Sequence, residues 1–264
     1  MSGNEAFELV TERGWMRGMG NMLRSGLARW FKTRSWWVNC LIWGGLVGAI
    51  VAALVFNPQA PDVGELLMVT LVFTGLFPAV GVIILMQDAI VGEKREGTAA
   101  WVLSKPVTRQ SLILSKVIAN SLGVLLTMVI VPCAVGFAII ASAHPSMLVT
   151  FGVLGAMGVI FISQFFFLSL TLMLGTFFDV RAPVVGIPLA ILFLQQNLIN
   201  VVPNLRFILP WNLVIPLGNA NPLTFSLLQG TTPSSEHLTM LVIIIIESIL
   251  FTLVALWRFN RQEF

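Results

Sequence analysis

Long apolar runs alternate with short polar breaks along the chain. Six of the runs approach or exceed the roughly 20 residues that a helix needs to cross a bilayer's hydrocarbon core. They cover Trp36–Phe56, Leu66–Gln87, Val117–Ala141, Met147–Phe178, Ala182–Val202 and Leu238–Trp257. The pattern predicts an all-α polytopic membrane protein with six transmembrane helices. The fourth run exceeds one span and predicts a helix that tilts, kinks or projects beyond the bilayer. The fifth predicts a broken helix, because Pro183, Pro188, Gln195, Gln196, Asn197 and Asn200 interrupt it.

The segments between the runs complete the plan. In the N-terminal part, 1–35, Trp15, Met16, Met19, Met22, Leu23, Leu27, Trp30 and Phe31 recur at helical spacing, with Arg17, Arg24 and Lys32 on the opposite face. That predicts an amphipathic elbow helix lying flat at the membrane interface, as an anchor or also as a partner contact. The six-helix membrane domain then occupies 36–257, followed by a short tail, 258–264. Within the membrane domain lie a polar loop, 88–116, and an apolar but proline-broken segment, 203–237. Pro210, Pro216, Pro222 and Pro233 exclude a continuous span there and predict short re-entrant or interfacial helices. Gly44, Gly48 and Ala52, at four-residue intervals, predict close helix packing within the bundle or in a dimer contact.

Composition agrees with a membrane protein. Apolar residues make up 57% of the chain and charged residues 10%, against roughly 25% charged in soluble domains. Charge placement gives an orientation. With both termini inside, every one of the fifteen basic residues except Arg206 falls on the cytoplasmic side, which predicts an even number of spans with both termini cytoplasmic. His144, His237, Asp62, Glu65 and Glu236 fall outside. Residues 1–35 carry too many charges for a cleavable signal peptide. Cys40 and Cys133 lie in apolar runs and read as small buried hydrophobes rather than a disulfide or metal ligands. No metal site and no nucleic-acid-binding surface is expected.

The charged loop between the second and third runs is where a signature appears. Read from its residues, Ile90–Leu103 predicts a short helix ended by Pro106, and Thr108 caps the next helix. A solvated loop fits the charge pattern as well. The order Glu93, Glu96-Gly97-Thr98, Leu103-Ser104, Pro106-Val107, Arg109 and Lys116 resembles the cytoplasmic loop of type-2 ABC transporter permeases. Ala99-Ala100-Trp101 departs from that pattern, where a bulkier aliphatic step is usual. The resemblance implies a permease subunit of an exporter that pairs with a second permease subunit, as homo- or heterodimer, in contact with membrane lipid. It also implies two separate ATPase subunits. Carried over by position, Glu93, Glu96, Gly97, Thr98, Pro106, Arg109 and Lys116 belong to the ATPase-coupling region, and the loop holding Asp179 and Arg181 forms a second contact. No cofactor is expected on this chain, with ATP and Mg on the partner ATPase, because no G-x-x-x-x-G-K-S/T phosphate loop occurs.

Rival functions lack their residues. A membrane-embedded enzyme needs a positioned nucleophile, base or metal cluster, and H-E-x-x-H, G-x-S-x-G and paired aspartates are absent from the sequence. An ion-coupled secondary transporter favours matching breaks in two repeated halves, and the first three runs hold none. A non-transporting scaffold or sensor subunit is the remaining alternative. Glu247 lies well inside the sixth run, where a lipid-facing carboxylate costs on the order of 3 kcal/mol. It therefore faces the bundle or a polar cavity, or stays protonated. Two roles compete: a hydrogen bond to a neighbouring helix, or a substrate path shared with Gln195, Gln196, Asn197 and Asn200.

Overall fold

The structure, a computed structural model, describes residues 14, 16–97, 104, 107–145, 151–218 and 220–262. Helix α1 spans Met19–Phe31. The helices α2 (Ser35–Val55), α3 (Val63–Arg95), α4 (Arg109–Ala143), α5 (Phe151–Phe177), α6 (Arg181–Val201) and α9 (Ser235–Asn260) follow, with α7 (Trp211–Val214) and α8 (Leu223–Leu228) short and placed between α6 and α9. Six helices are long and apolar enough to cross a membrane. The protein is an all-α, multi-pass membrane protein.

Each span starts or ends where local chemistry allows. The Asp62 carboxylate accepts from the Glu65 N–H at 2.7 Å and opens α3. Thr108 Oγ1 accepts from the Ser111 N–H at 3.2 Å and opens α4, as the sequence predicts. Ser234 does the same for α9 through the His237 N–H. These caps satisfy amide groups that have no carbonyl partner in a first helical turn.

α5 is the most deeply buried span and packs against α3 and α9, with α6, α7 and α8 around it. α2 packs on α4 along the small-residue stripe. A Cβ on Gly44 would lie 3.2 Å from Val131, and one on Gly48 would lie 2.8 Å from Val135. The stripe is thus used inside the bundle. Both α2 and α4 contain a wide π turn, Cys40–Gly44 and Leu125–Ile130, and these turns touch each other.

Three expectations change. Of the short helix expected over Ile90–Leu103, Ile90 to Arg95 instead continue α3, whose 33 residues run without interruption, and 98–103 lie outside the described residues. Ala89, Ile90 and Val91 are buried apolar residues, so the helix has packing to gain by continuing past Gln87. Helix α6 is continuous rather than broken. Pro183 sits in its first turn, where an N–H would have no partner, and Pro188 is accommodated within the helix. Finally, α1 does not use its apolar face for a bilayer alone. Trp30 is buried against Gly123 of α4, where a Cβ would come within 2.3 Å of the indole. Its Nε1 donates to Asn120 Oδ1 at 2.9 Å.

The proline-rich segment after α6 is a 3₁₀ turn, Pro203–Phe207, followed by α7, an isolated bridge between Leu217 and Ala220, and α8. Leu213, Val214 and Leu223 are buried, with Val214 against Gly75 of α3. The backbone of Leu227 lies so close to Gly152 that no side chain fits there.

Candidate functional site

The end of the bundle that carries α1, the α3–α4 junction, the α5–α6 turn and the end of α9 gathers most of the charge. The last turn of α3 supplies Glu93, Lys94, Arg95 and Glu96. Gly97 then takes a left-handed conformation with φ +67°, which ends the helix and which a glycine adopts at little cost.

Glu93 reaches α4, and Lys94 and Arg95 reach the α5–α6 turn. Glu93 pairs with Lys116 on α4. Lys94 Nζ donates to Asp179 Oδ1 at 3.2 Å and to the Thr176 carbonyl at 3.1 Å. Arg95 Nε donates to the Asp179 carbonyl at 3.1 Å. One turn earlier, Asp88 pairs with Arg181 at 2.8 Å. On α4, Arg109 donates to the Asn260 carbonyl at 2.8 Å and to the Gln262 carbonyl. Gln262 Nε2 donates in turn to the Thr176 carbonyl. Arg258 lies over the Phe177 ring at 5.6 Å. The ends of α3, α4, α5, α6 and α9 are thereby tied into one polar platform.

The ties differ in weight. Asp179 keeps 85% of its side chain exposed, and exposed pairs contribute roughly 0–1 kcal/mol. The Glu93–Lys116 pair is largely withdrawn from solvent, so losing either member leaves a charge that water cannot easily reach. Glu96 and Gly97 are exposed at the tip.

A sequence model for the ABC-2 family transporter proteins matches residues 11–264. The chain belongs to the ABC-2 transporter family. It is a membrane subunit of a transporter, a permease. No protein of curated function matches it.

Set against this permease fold, the sequence-predicted coupling residues fall into three groups. Glu93, Arg109, Lys116, Asp179 and Arg181 are brought together in the platform. Glu96 and Gly97 project from it. Thr98 and Pro106 lie outside the described residues. The residues proposed for a substrate path are dispersed. Gln195 is buried, with its Nε2 donating to the Leu192 carbonyl at 3.1 Å, whereas Gln196, Asn197 and Asn200 are exposed on α6. Glu247 is half-buried on α9, with Oε2 buried and unpaired among the described residues. α6 packs mainly on α3 and α5, and α9 mainly on α5 and α4.

Sequence reasoning missed Asp88, Lys94, Arg95 and Gln262, whose roles depend on which helix ends meet. It also missed Gln164, an amide buried in α5 that donates to the Thr74 carbonyl at 3.1 Å while its Oε1 has no partner among the described residues. A lone amide amid the aliphatic and aromatic residues of that run was the available signal.

Proposed function

We propose that this permease subunit belongs to an ATP-driven exporter, that it pairs with a second permease subunit, and that two separate ATPase subunits dock on the charged platform. The platform end is then cytoplasmic, as are both termini, and the protein resides in the plasma membrane. The observation that carries this reading is the link from an exposed tip, Glu96–Gly97, to five helix ends through side-chain bonds.

The geometry suits mechanical coupling. At about 1.5 Å per residue, a helix of 33 residues is about 50 Å long, which exceeds the roughly 30 Å hydrocarbon core. Force applied at the Glu96 tip acts directly on α3. Glu93 carries it to α4 through Lys116, and Asp88 and Lys94 carry it to the α5–α6 turn through Arg181 and Asp179. Arg109 links α4 to the end of α9. Closure of the ATPase pair would thus shift several spans together and alternate the exposure of a path between two permease subunits. ATP and Mg belong to the ATPase, since this chain has no phosphate-binding loop of the G-x-x-x-x-G-K-S/T kind. The candidate coupling residues are Glu93, Glu96, Gly97, Thr98, Pro106, Arg109, Lys116, Asp179 and Arg181.

Purification in mild detergent tests the assignment. An exporter subunit retains an ATPase whose hydrolysis depends on the permease. A scaffold or sensor subunit retains no ATPase, and that result would overturn the proposal.

A further inference from the structure

A cavity of about 480 Å³ opens between α1, the start of α2, α3 and α4, a size within the about 300–1,000 Å³ of small-molecule sites. Its lining brings together Arg29 from α1, Arg34 from the α1–α2 junction and Asn120 from α4. Asn120 is 98% buried, by its 2% residual exposure, and Trp30 Nε1 donates to its Oδ1. That bond fixes the amide and leaves its Nδ2 donors without a partner among the described residues. Neither arginine side chain has an ion pair among the described residues. The carboxylate in the wall, Asp88, is already balanced by Arg181 at 2.8 Å, so the cavity has an excess of positive charge. A recess of about 90 Å³ shares Arg29 and Asn120 with it and reaches Lys116 and Glu93.

We propose that this cavity binds the phosphate headgroup of an anionic phospholipid, with Arg29 and Arg34 on the phosphate and Asn120 Nδ2 donating to an oxygen. Guanidinium groups match phosphate oxygens in a two-bond geometry, and a buried amide donor adds a directed contact. The neighbourhood favours a lipid over a soluble phosphate. Val38 and Leu85 give the cavity an apolar wall, and α2 continues from it with exposed Trp37, Leu41 and Ile42. That strip offers acyl chains a surface, and Trp concentrates at headgroup depth. The cavity adjoins the coupling platform through Asp88 and through the recess that reaches Glu93 and Lys116, but Arg29, Arg34 and Asn120 form none of the platform's ion pairs or hydrogen bonds described above.

The test is native mass spectrometry of the detergent-purified full chain, titrated with phosphatidylglycerol, with phosphatidylcholine and with glycerol 3-phosphate. The wild type should retain phosphatidylglycerol. The Arg29→Gln/Arg34→Gln variant should bind it at least tenfold more weakly, while Arg17→Gln/Arg24→Gln, also basic and N-terminal but outside the cavity, should bind as the wild type does. Phosphatidylcholine should bind at least tenfold more weakly than phosphatidylglycerol, and glycerol 3-phosphate should not compete. Equal binding by the cavity variant and the wild type overturns the proposal, as does an equal loss in Arg17→Gln/Arg24→Gln. Equal retention of phosphatidylcholine removes the selection for anionic lipid, and competition by glycerol 3-phosphate makes this a soluble-phosphate site. Should the double variant fail to fold, Val38→Trp decides: it narrows the cavity and keeps both arginines. The same tenfold loss supports the site, and unchanged binding rejects it.

Discussion

Glu93 and Lys116 form an ion pair that joins the end of α3 to the start of α4, and Lys116 keeps only 8% of its side chain exposed. A charge so placed depends on its partner, because removing one member strands the other away from water. Lys116→Met should therefore lower the stability of the purified protein by about 3 kcal/mol, read as a lower thermal transition in detergent. Glu93→Gln/Lys116→Met, which removes both charges, should recover part of that loss. An additive loss in the double variant would show that the two residues act separately.

Arg109 and Glu96 should part company on mutation. Glu96 is exposed at the tip, so Glu96→Lys should change stability by no more than about 0.5 kcal/mol. Arg109 holds the Asn260 and Gln262 carbonyls. Arg109→Glu should destabilise the protein by about 1–3 kcal/mol through lost charge-assisted bonds. Thermal melts of the two variants check this, and equal melts would remove Arg109 from the platform.

The spans were legible in the sequence because apolar length is a direct requirement of the bilayer. Their ends were less so. Asp88, Glu93, Lys94 and Arg95 look like a loop when charge is taken as the boundary, yet Ala89, Ile90 and Val91 are buried and keep α3 going. The proline pair in α6 reads as a break until Pro183 is seen to occupy the first turn. Thr108 was readable as a cap because capping is local. The Trp30–Asn120 bond and the Arg109 contacts with the end of the chain join residues far apart in sequence, and no periodicity encodes them. The same holds for the meeting of Asp179 with Lys94, although both segments carried recognisable residues.

The proposed topology, with both termini cytoplasmic, rests on the one-sided basic residues. In a background with Cys40 and Cys133 replaced by serine, a cysteine at Gln59, in the exposed turn between α2 and α3, should react with an impermeant reagent in intact cells. One at Gln262 should react only after the cells are opened. Labelling of Gln262 from outside would invert or break the six-span arrangement.

Glu247 offers two variants with opposite meanings. Glu247→Gln keeps the shape and a hydrogen-bonding group but removes ionisation, and Glu247→Leu removes both. If the carboxylate lines the path, the Gln variant assembles normally and transports at least tenfold more slowly. A wild-type rate for Gln beside a lowered thermal transition for Leu assigns the residue to packing instead. Transport into inverted vesicles, compared with thermal melts, separates the two.

The central claim is that the platform tip is where an ATPase docks. Site-directed cross-linking tests it most directly, using a single photoreactive group introduced at Glu96 or, as a control, at Gln59 on the opposite end. The account predicts that Glu96 cross-links to the copurifying ATPase subunit and that Gln59 does not. An ATPase that cross-links from Gln59, or that binds the permease without any cross-link from Glu96, would contradict it.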